Sequence, residues 1–286
     1  MNVAQDAPSR PALRYYGGKW NLASWIISHF PPHQNYVEPC GGAASVLLQK
    51  PRSPLETYND LDGNVVNFFR VLRDRPDELI RKIRLTPWAR AEYELSLEPR
   101  DDELEKARRF YCAACMSFNG ATQFDGRTYG WRHTLDYNVR HSPALDMVNN
   151  TLQDIAERLL GVQIENTDYA DVIQRFDRPV CLIYFDPPYM IDTRNKKFWY
   201  GHEFSDQDHI EAAALLRSCQ GYVVVSGYAC DLYAELYEAH DWHRVDKEAQ
   251  TNSGGKRIES LWLSPRTWAA LHSDFSDMPL FAVEER

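Results

Sequence analysis

An apolar run from Val180 to Phe185 stops at Asp186-Pro187-Pro188-Tyr189. No sheet ladder passes through two consecutive prolines, because neither has a backbone N–H and each holds φ at about −65°. The run is therefore a short strand, and the chain after it turns a stiff corner. A near-continuous apolar strand fits a parallel sheet covered on both faces. In open α/β sheets, ligands bind at strand ends. An acid and an aromatic ring on an exposed corner at that place point to chemistry.

The rest of the chain alternates in the same way. Residues 35–39, 55–60, 162–166 and 221–228 read as strands, and 257–264 as an edge strand. Residues 21–30, 41–49, 64–73, 169–176 and 205–219 have helical spacing or helix-opening turns. Between about Pro76 and Leu160 the pattern becomes mostly helical, interrupted by a loop at 118–134 rich in glycine and aromatics. The expected architecture is a parallel α/β sheet, residues 1–72 and 161–286, with a helical insertion at 73–160 forming a separate lobe.

With 286 residues, 44% hydrophobic and 26% charged, the chain has the composition of an ordinary globular protein. No apolar run approaches the roughly 20 residues that span a bilayer. The N-terminal stretch lacks a signal peptide's apolar core, and six scattered cysteines suit a reducing cytoplasm. The net charge of −9 disfavours nucleic acid as a partner on average. Its distribution argues otherwise, because residues 70–90, 126–133 and 193–200 are locally basic. Solvated helix faces are the plainer explanation for the first of these.

Three motifs carry chemistry. Tyr36 to Val46 runs strand, acid, glycine turn, helix, which lets a backbone approach a ligand closely. Asp60 and Asp62 end the second strand; one can meet a ribose diol, and either can simply cap the next helix. Asp186, the carbonyls exposed by the prolines, and the Tyr189 ring together suit a planar ring bearing an exocyclic amine. Cys112 and Cys115 form a CxxC without the second pair a zinc site needs, so they read as structural. No metal is expected.

The aromatic-x-GGK of Tyr15–Lys19, the EP-x-GG of Glu38–Gly42, Asp60, Asp168-Tyr169 and the DPPY of Asp186–Tyr189 follow one another as in a single family. Over nearly its whole length the chain resembles the Dam-like, D12 class, site-specific DNA adenine methyltransferases. That resemblance implies a Rossmann-like class I methyltransferase sheet, mostly parallel with an antiparallel last strand, and a helical target-recognition insertion. It also implies S-adenosyl-L-methionine as cofactor, S-adenosyl-L-homocysteine as product, and a cytoplasmic enzyme of a prokaryote or phage, either orphan or paired with a restriction enzyme. Tyr15, Gly17, Gly18, Lys19, Glu38, Pro39, Gly41, Gly42, Asp60, Asp168, Tyr169 and Asp186 would meet the cofactor. Many members carry Trp at the place of Tyr15 and a bulkier residue at Cys40.

The resemblance further implies a catalytic tetrad of Asp186, Pro187, Pro188 and Tyr189 acting on an adenine flipped out of double-stranded DNA. Asp186 and the Pro187 carbonyl would accept the 6-amino hydrogens, and Tyr189 would stack on the base. Asn119, Arg127, Tyr129, Arg132, Arg194, Lys196 and Lys197 are the candidate DNA contacts, grouped on one basic cleft face. Cytosine 4-amino or RNA methylation, and a non-catalytic DNA-binding homologue, are the rival expectations. A palindromic target would suit repeated visits by a monomer or a two-fold homodimer, the latter slightly favoured.

Overall fold

The computed structural model describes residues 7–13, 15, 17–117, 130–132, 151–190, 203–250 and 256–273. Seven strands form one sheet: β1 (Asn35–Glu38), β2 (Leu55–Asn59), β3 (Val162–Glu165), β4 (Cys181–Phe185), β5 (Tyr222–Gly227), β6 (His243–Gln250) and β7 (Lys256–Leu263). Their spatial order is β3-β2-β1-β4-β5-β7-β6. β1 to β5 are parallel, and β7 runs antiparallel to both β5 and β6. The Rossmann-like expectation, with an antiparallel last strand, is met.

One strand was expected in the wrong place. β7 is not an edge: Leu261, Trp262 and Leu263 are buried between β5 and β6. The edge is β6, whose sequence HRVDKEAQ carries mostly polar and charged residues. Charge on an edge strand blocks pairing with other chains, and it also erases the apolar alternation by which a strand is read.

Alternating side chains of each central strand feed two cores. Leu182 and Tyr184 join Tyr36, Tyr58 and Val224 in one cluster; Cys181, Ile183 and Phe185 join Val37, Val223 and Val225 in the other. On the first side lie α1 (Ala23–Ile27), α2 (Ser45–Gln49) and α3 (Gly63–Asp74). They are followed there by α4 (Pro76–Leu85), α5 (Arg90–Ser96), α6 (Glu103–Met116) and α7 (Leu152–Leu159). On the second side lie α8 (Tyr169–Phe176), α9 (Asp206–Arg217) and α10 (Asp231–Leu236); α11 (Pro265–His272) closes the described chain.

The described helices of the insertion are not detached from the sheet. Leu79, Ile83, Leu104, Phe110, Tyr111, Leu152 and Ile155 belong to the same cluster as Tyr36 and Leu182. The Tyr111 ring stacks on Phe68 of α3, centroids 5.9 Å apart. Cys112 and Cys115 are buried within α6, as structural cysteines would be. Several basic residues of 70–90 are paired: Arg70 with Glu103, Arg75 with Glu78 at 2.7 Å, and Lys82 with Glu105 at 3.7 Å. That stretch is largely the solvated helix face of the plainer explanation.

Candidate active site

β1 pairs with β2 on one side and with β4 on the other, so the chain order reverses between β1 and β4. Such a switch point leaves a crevice at the carboxyl ends of the strands. A cavity of about 460 Å³ occupies it. Its walls are the ends of β1, β2, β3 and β4, Tyr15, Gly17, Gly18 and Lys19, and Glu203, Phe204 and Asp208 ahead of and within α9. Every residue expected to meet a cofactor lines it: Tyr15, Gly17, Gly18, Lys19, Glu38, Pro39, Gly41, Gly42, Asp60, Asp168, Tyr169 and Asp186.

The loop after β1 shows why glycine stands there. A Cβ on Gly41 would fall 2.2 Å from the buried Tyr58 ring, and Gly42 has φ 47°, where side chains are strained. The Asp60 carboxylate holds the loop, accepting the Gly42 N–H at 2.8 Å on Oδ2 and the Asp62 N–H at 2.8 Å on Oδ1. Asp62 caps α3 by accepting the Asn64 N–H. Asp62 thus takes the capping role open to it in sequence, while both Asp60 and Asp62 line the cavity. Asp168 also lines the cavity while capping α8 through the Ala170 N–H.

Glu38 is buried at the floor. Its Oε2 accepts the Tyr36 hydroxyl at 2.9 Å and the Leu47 N–H of α2 at 3.0 Å. Burial pushes its carboxyl up to about 8; those two donors pull down without outweighing it, and nearby Asp186 pushes further up. Burial likewise raises the Cys40 thiol, helped by Asp60, Asp186 and Asp168. A carboxyl at about 8 leaves Glu38 mostly neutral near pH 7, so the negative field that a cationic ligand needs comes from Asp60, Asp168 and Asp186 on the wall, the same acids that raise Cys40.

At the end of β4, Asp186 is held from two sides. Lys19 Nζ lies 3.0 Å from Oδ2 and also donates to the Gly17 carbonyl at 2.7 Å. The Ser226 hydroxyl donates to Oδ1 at 2.5 Å. Pro187 and Pro188 line the cavity beside it. The corner is not exposed as expected: Tyr189 is 4% exposed, and Lys19 Nζ sits 4.4 Å from its ring centroid. Its hydroxyl donates to Glu259 at 3.3 Å, and the Tyr228 ring meets it edge-on at 4.7 Å. Residues from the N-terminal segment, the turn after β5 and β7 converge on it, and their sequence distance hides that cover.

Asn59 was not anticipated. Its side chain donates to the Pro39 and Thr167 carbonyls and accepts the Thr167 N–H, joining the loops after β1, β2 and β3. A lone amide just before the acid in YNDLD was the only sequence signal. Phe204 packs its ring 5.4 Å from Tyr169 and extends the cavity wall, for which the sequence held no signal. Of the candidate DNA contacts, Arg132 is half-buried, and its N–H donates to the Met116 carbonyl at 2.8 Å. Asn119, Arg127, Tyr129, Arg194, Lys196 and Lys197 lie outside the described residues. Among the described residues, no cluster of three or more His, Cys, Asp or Glu could hold a metal ion.

A sheet of this order, with a nucleoside-sized cavity at its switch point and Asp186, Pro187 and Pro188 of an Asp-Pro-Pro-Tyr corner on its wall, defines an amino-methyltransferase of the Rossmann-like class. Sequence comparison narrows the class. The chain belongs to the D12 class N6 adenine-specific DNA methyltransferase family, whose model matches residues 15–251. It is 26% identical over 276 residues to the type II methyltransferase M1.LlaDCHI of Lactococcus lactis subsp. cremoris, covering 88% of this chain and 94% of that one. It is 26% identical to a DNA adenine methylase of Salmonella typhi and 25% identical to one of Escherichia coli K12, each over 268 residues with the same coverage.

Proposed function

We propose that this adenine-specific DNA methyltransferase binds S-adenosyl-L-methionine in the cavity at the switch point and acts on an adenine flipped out of double-stranded DNA. The observation that carries this is the corner after β4, whose Asp186, Pro187 and Pro188 line a cavity of about 460 Å³, within the usual range for small-molecule sites. The donor set fits the cofactor. Asp60 offers a carboxylate to a ribose diol, Tyr169 and Phe204 offer apolar ring surface to a purine, and the acidic walls suit a sulfonium and an ammonium. Gly41 and Gly42 line the cavity with bare backbone, and a side chain there would collide with the Tyr58 or Tyr15 ring. When bound, the cofactor supplies a methyl group activated by its sulfonium.

The chain's own part is positioning. Asp186 and the Pro187 carbonyl accept the two hydrogens of the target 6-amino group, which draws electron density onto its nitrogen and orients the lone pair. Lys19 and Ser226 hold the Asp186 carboxylate before the base arrives. Extruding the base costs a few kcal/mol, and a stack on Tyr189 would offset part of that. A base stacking there must displace what now covers the ring. The insertion at 73–160, with Asn119, Arg127, Tyr129 and Arg132, and the stretch holding Arg194, Lys196 and Lys197, is proposed to contact DNA, through a two-fold homodimer on a palindromic site. The cytoplasm is the proposed compartment; no helix among the described residues is long and apolar enough to cross a membrane.

Expression in a methylation-free bacterial host, followed by single-molecule sequencing, tests the function. N6-methyladenine within one short motif supports it, and that motif's symmetry bears on the dimer. Methylcytosine, or no modified base despite cofactor binding, overturns it.

A further inference from the structure

We infer that Ser226 is a positioning residue for the methyl-transfer step and that it acts at the end of a two-bond relay beginning at Tyr184. This rests on the proposed role of Asp186 as acceptor of the target amine.

The relay follows from the sheet. Tyr184 pairs with Val224 and Phe185 with Val225 in the β4–β5 ladder. One residue further, the ladder would set Asp186 beside Ser226, but the prolines end it there. The backbone can no longer hold Asp186, and a side chain does so instead. Tyr184 lies in β4 and Asp186 just past its end, two residues on, and Ser226 reaches both. The Tyr184 hydroxyl donates to Ser226 Oγ at 3.2 Å, and Ser226 donates to Asp186 Oδ1 at 2.5 Å.

The order of donation is forced. A carboxylate paired with an ammonium only accepts, so the single Ser226 proton must point at Asp186. That leaves Ser226 its lone pairs, and the buried Tyr184 hydroxyl must then be the donor. Tyr184 is fully buried and Ser226 is 2% exposed, so water does not compete for either bond. Lys19 alone holds the carboxylate plane loosely, because its flexible stem lets the ammonium follow Oδ2 through a rotation about the Cβ–Cγ bond. Ser226 on Oδ1 removes that rotation. It leaves each oxygen a lone pair to receive an amine hydrogen.

The test uses the full chain and tritiated S-adenosyl-L-methionine, with duplex DNA from a methylation-free host under single-turnover conditions. Wild-type protein transferring no methyl group would overturn the functional reading itself, before any variant is compared. With active wild type, Ser226→Ala is expected to slow transfer about 10- to 100-fold, the scale of a small misplacement, with dissociation constants for S-adenosyl-L-homocysteine and DNA within about twofold. Ser226→Thr, which keeps the hydroxyl, is expected to restore most of the rate. Ser226→Cys, a weak donor of similar size, should fall between Ser and Ala and serves if the threonine variant does not fold. Tyr184→Phe should cost about 2- to 5-fold with Ser226 present and nothing further in the Ser226→Ala background. Wild-type rate in Ser226→Ala, or a loss that tracks weakened cofactor binding, would overturn the proposal.

Discussion

Lys19 and Asp186 stand near opposite ends of the motif set, yet the ammonium and carboxylate are 3.0 Å apart, with 7% and 17% of their side chains exposed. The ion pair joins the N-terminal segment to the corner after β4 on the wall of the cavity. Asp186→Ala removes the proposed amine acceptor and leaves the Lys19 ammonium without this partner. Turnover is expected to fall at least about 10³-fold, the upper scale for deleting one electrostatic contact to a reacting group. Cofactor and DNA affinities should change far less, because the glycine loop, Asp60 and Asp168 remain. Methyl transfer and calorimetric binding on the same preparation check this; a variant that still turns over would remove Asp186 from the mechanism.

The corner was legible in the sequence because its cause is local: two prolines end a strand wherever they occur. The glycine loop and Asp60 were legible for the same reason, since each follows a strand by a turn of fixed chemistry. β6 was not, because an edge strand is protected by the charges that mask its period. Asn59 was not, because its partners at Pro39 and Thr167 come from other loops. Burial of Tyr189 was hidden too, being made by Lys19, Tyr228 and Glu259 from three distant segments.

In the proposed mechanism Tyr189 stacks its ring on a base, while its hydroxyl donates to Glu259, and the two contributions are separable. Tyr189→Phe keeps the ring and takes one donor from Glu259, which retains the Tyr228 hydroxyl at 3.0 Å. A stability loss of about 1–3 kcal/mol and a modest rate loss are expected. Tyr189→Ala also empties a buried site, at a cost of about 3–5 kcal/mol, and should reduce turnover much further. Equal rate losses in the two variants, measured beside urea unfolding of each, would argue against stacking.

Away from the site, Glu56 is a single carboxylate between two buried cations. Lys50 Nζ reaches Oε1 at 2.5 Å, and Arg158 reaches Oε2 at 2.6 Å and Oε1 at 2.9 Å. Burial pushes the Glu56 carboxyl up, but the Arg158 and Lys50 contacts outweigh it and hold it below its usual range. The cluster ties α7 to β2 and α2. Glu56→Gln would leave both cations buried without a counter-charge, and a loss of about 3–5 kcal/mol is expected in chemical denaturation. A loss under about 1 kcal/mol would mean that water reaches the cluster.

His209 gives the fold a directional response to acid. It is 2% exposed on α9, one residue from Asp208 on the cavity wall. Its Nδ1 contacts the Tyr233 hydroxyl at 3.1 Å, and its Nε2 is buried without a partner. Burial lowers its pKa to about 4, although Asp206 and Asp208 pull the other way. The unfolded chain takes up this proton near pH 6.5 and the folded chain only near 4, so between those values the unfolded state binds more protons. Stability is therefore complete above about pH 6.5 and declines as pH falls toward 4, at up to about 1.4 kcal/mol per unit from this group. His209→Gln should unfold with a shallower dependence on pH across that window. The Phe204 ring, 5.4 Å from His209, belongs to the same wall, so cofactor affinity in wild-type protein should weaken over the same range. Urea midpoints and S-adenosyl-L-homocysteine titrations of both proteins at pH 7, 6, 5 and 4.5 decide this; parallel slopes would show that acid acts elsewhere in the chain.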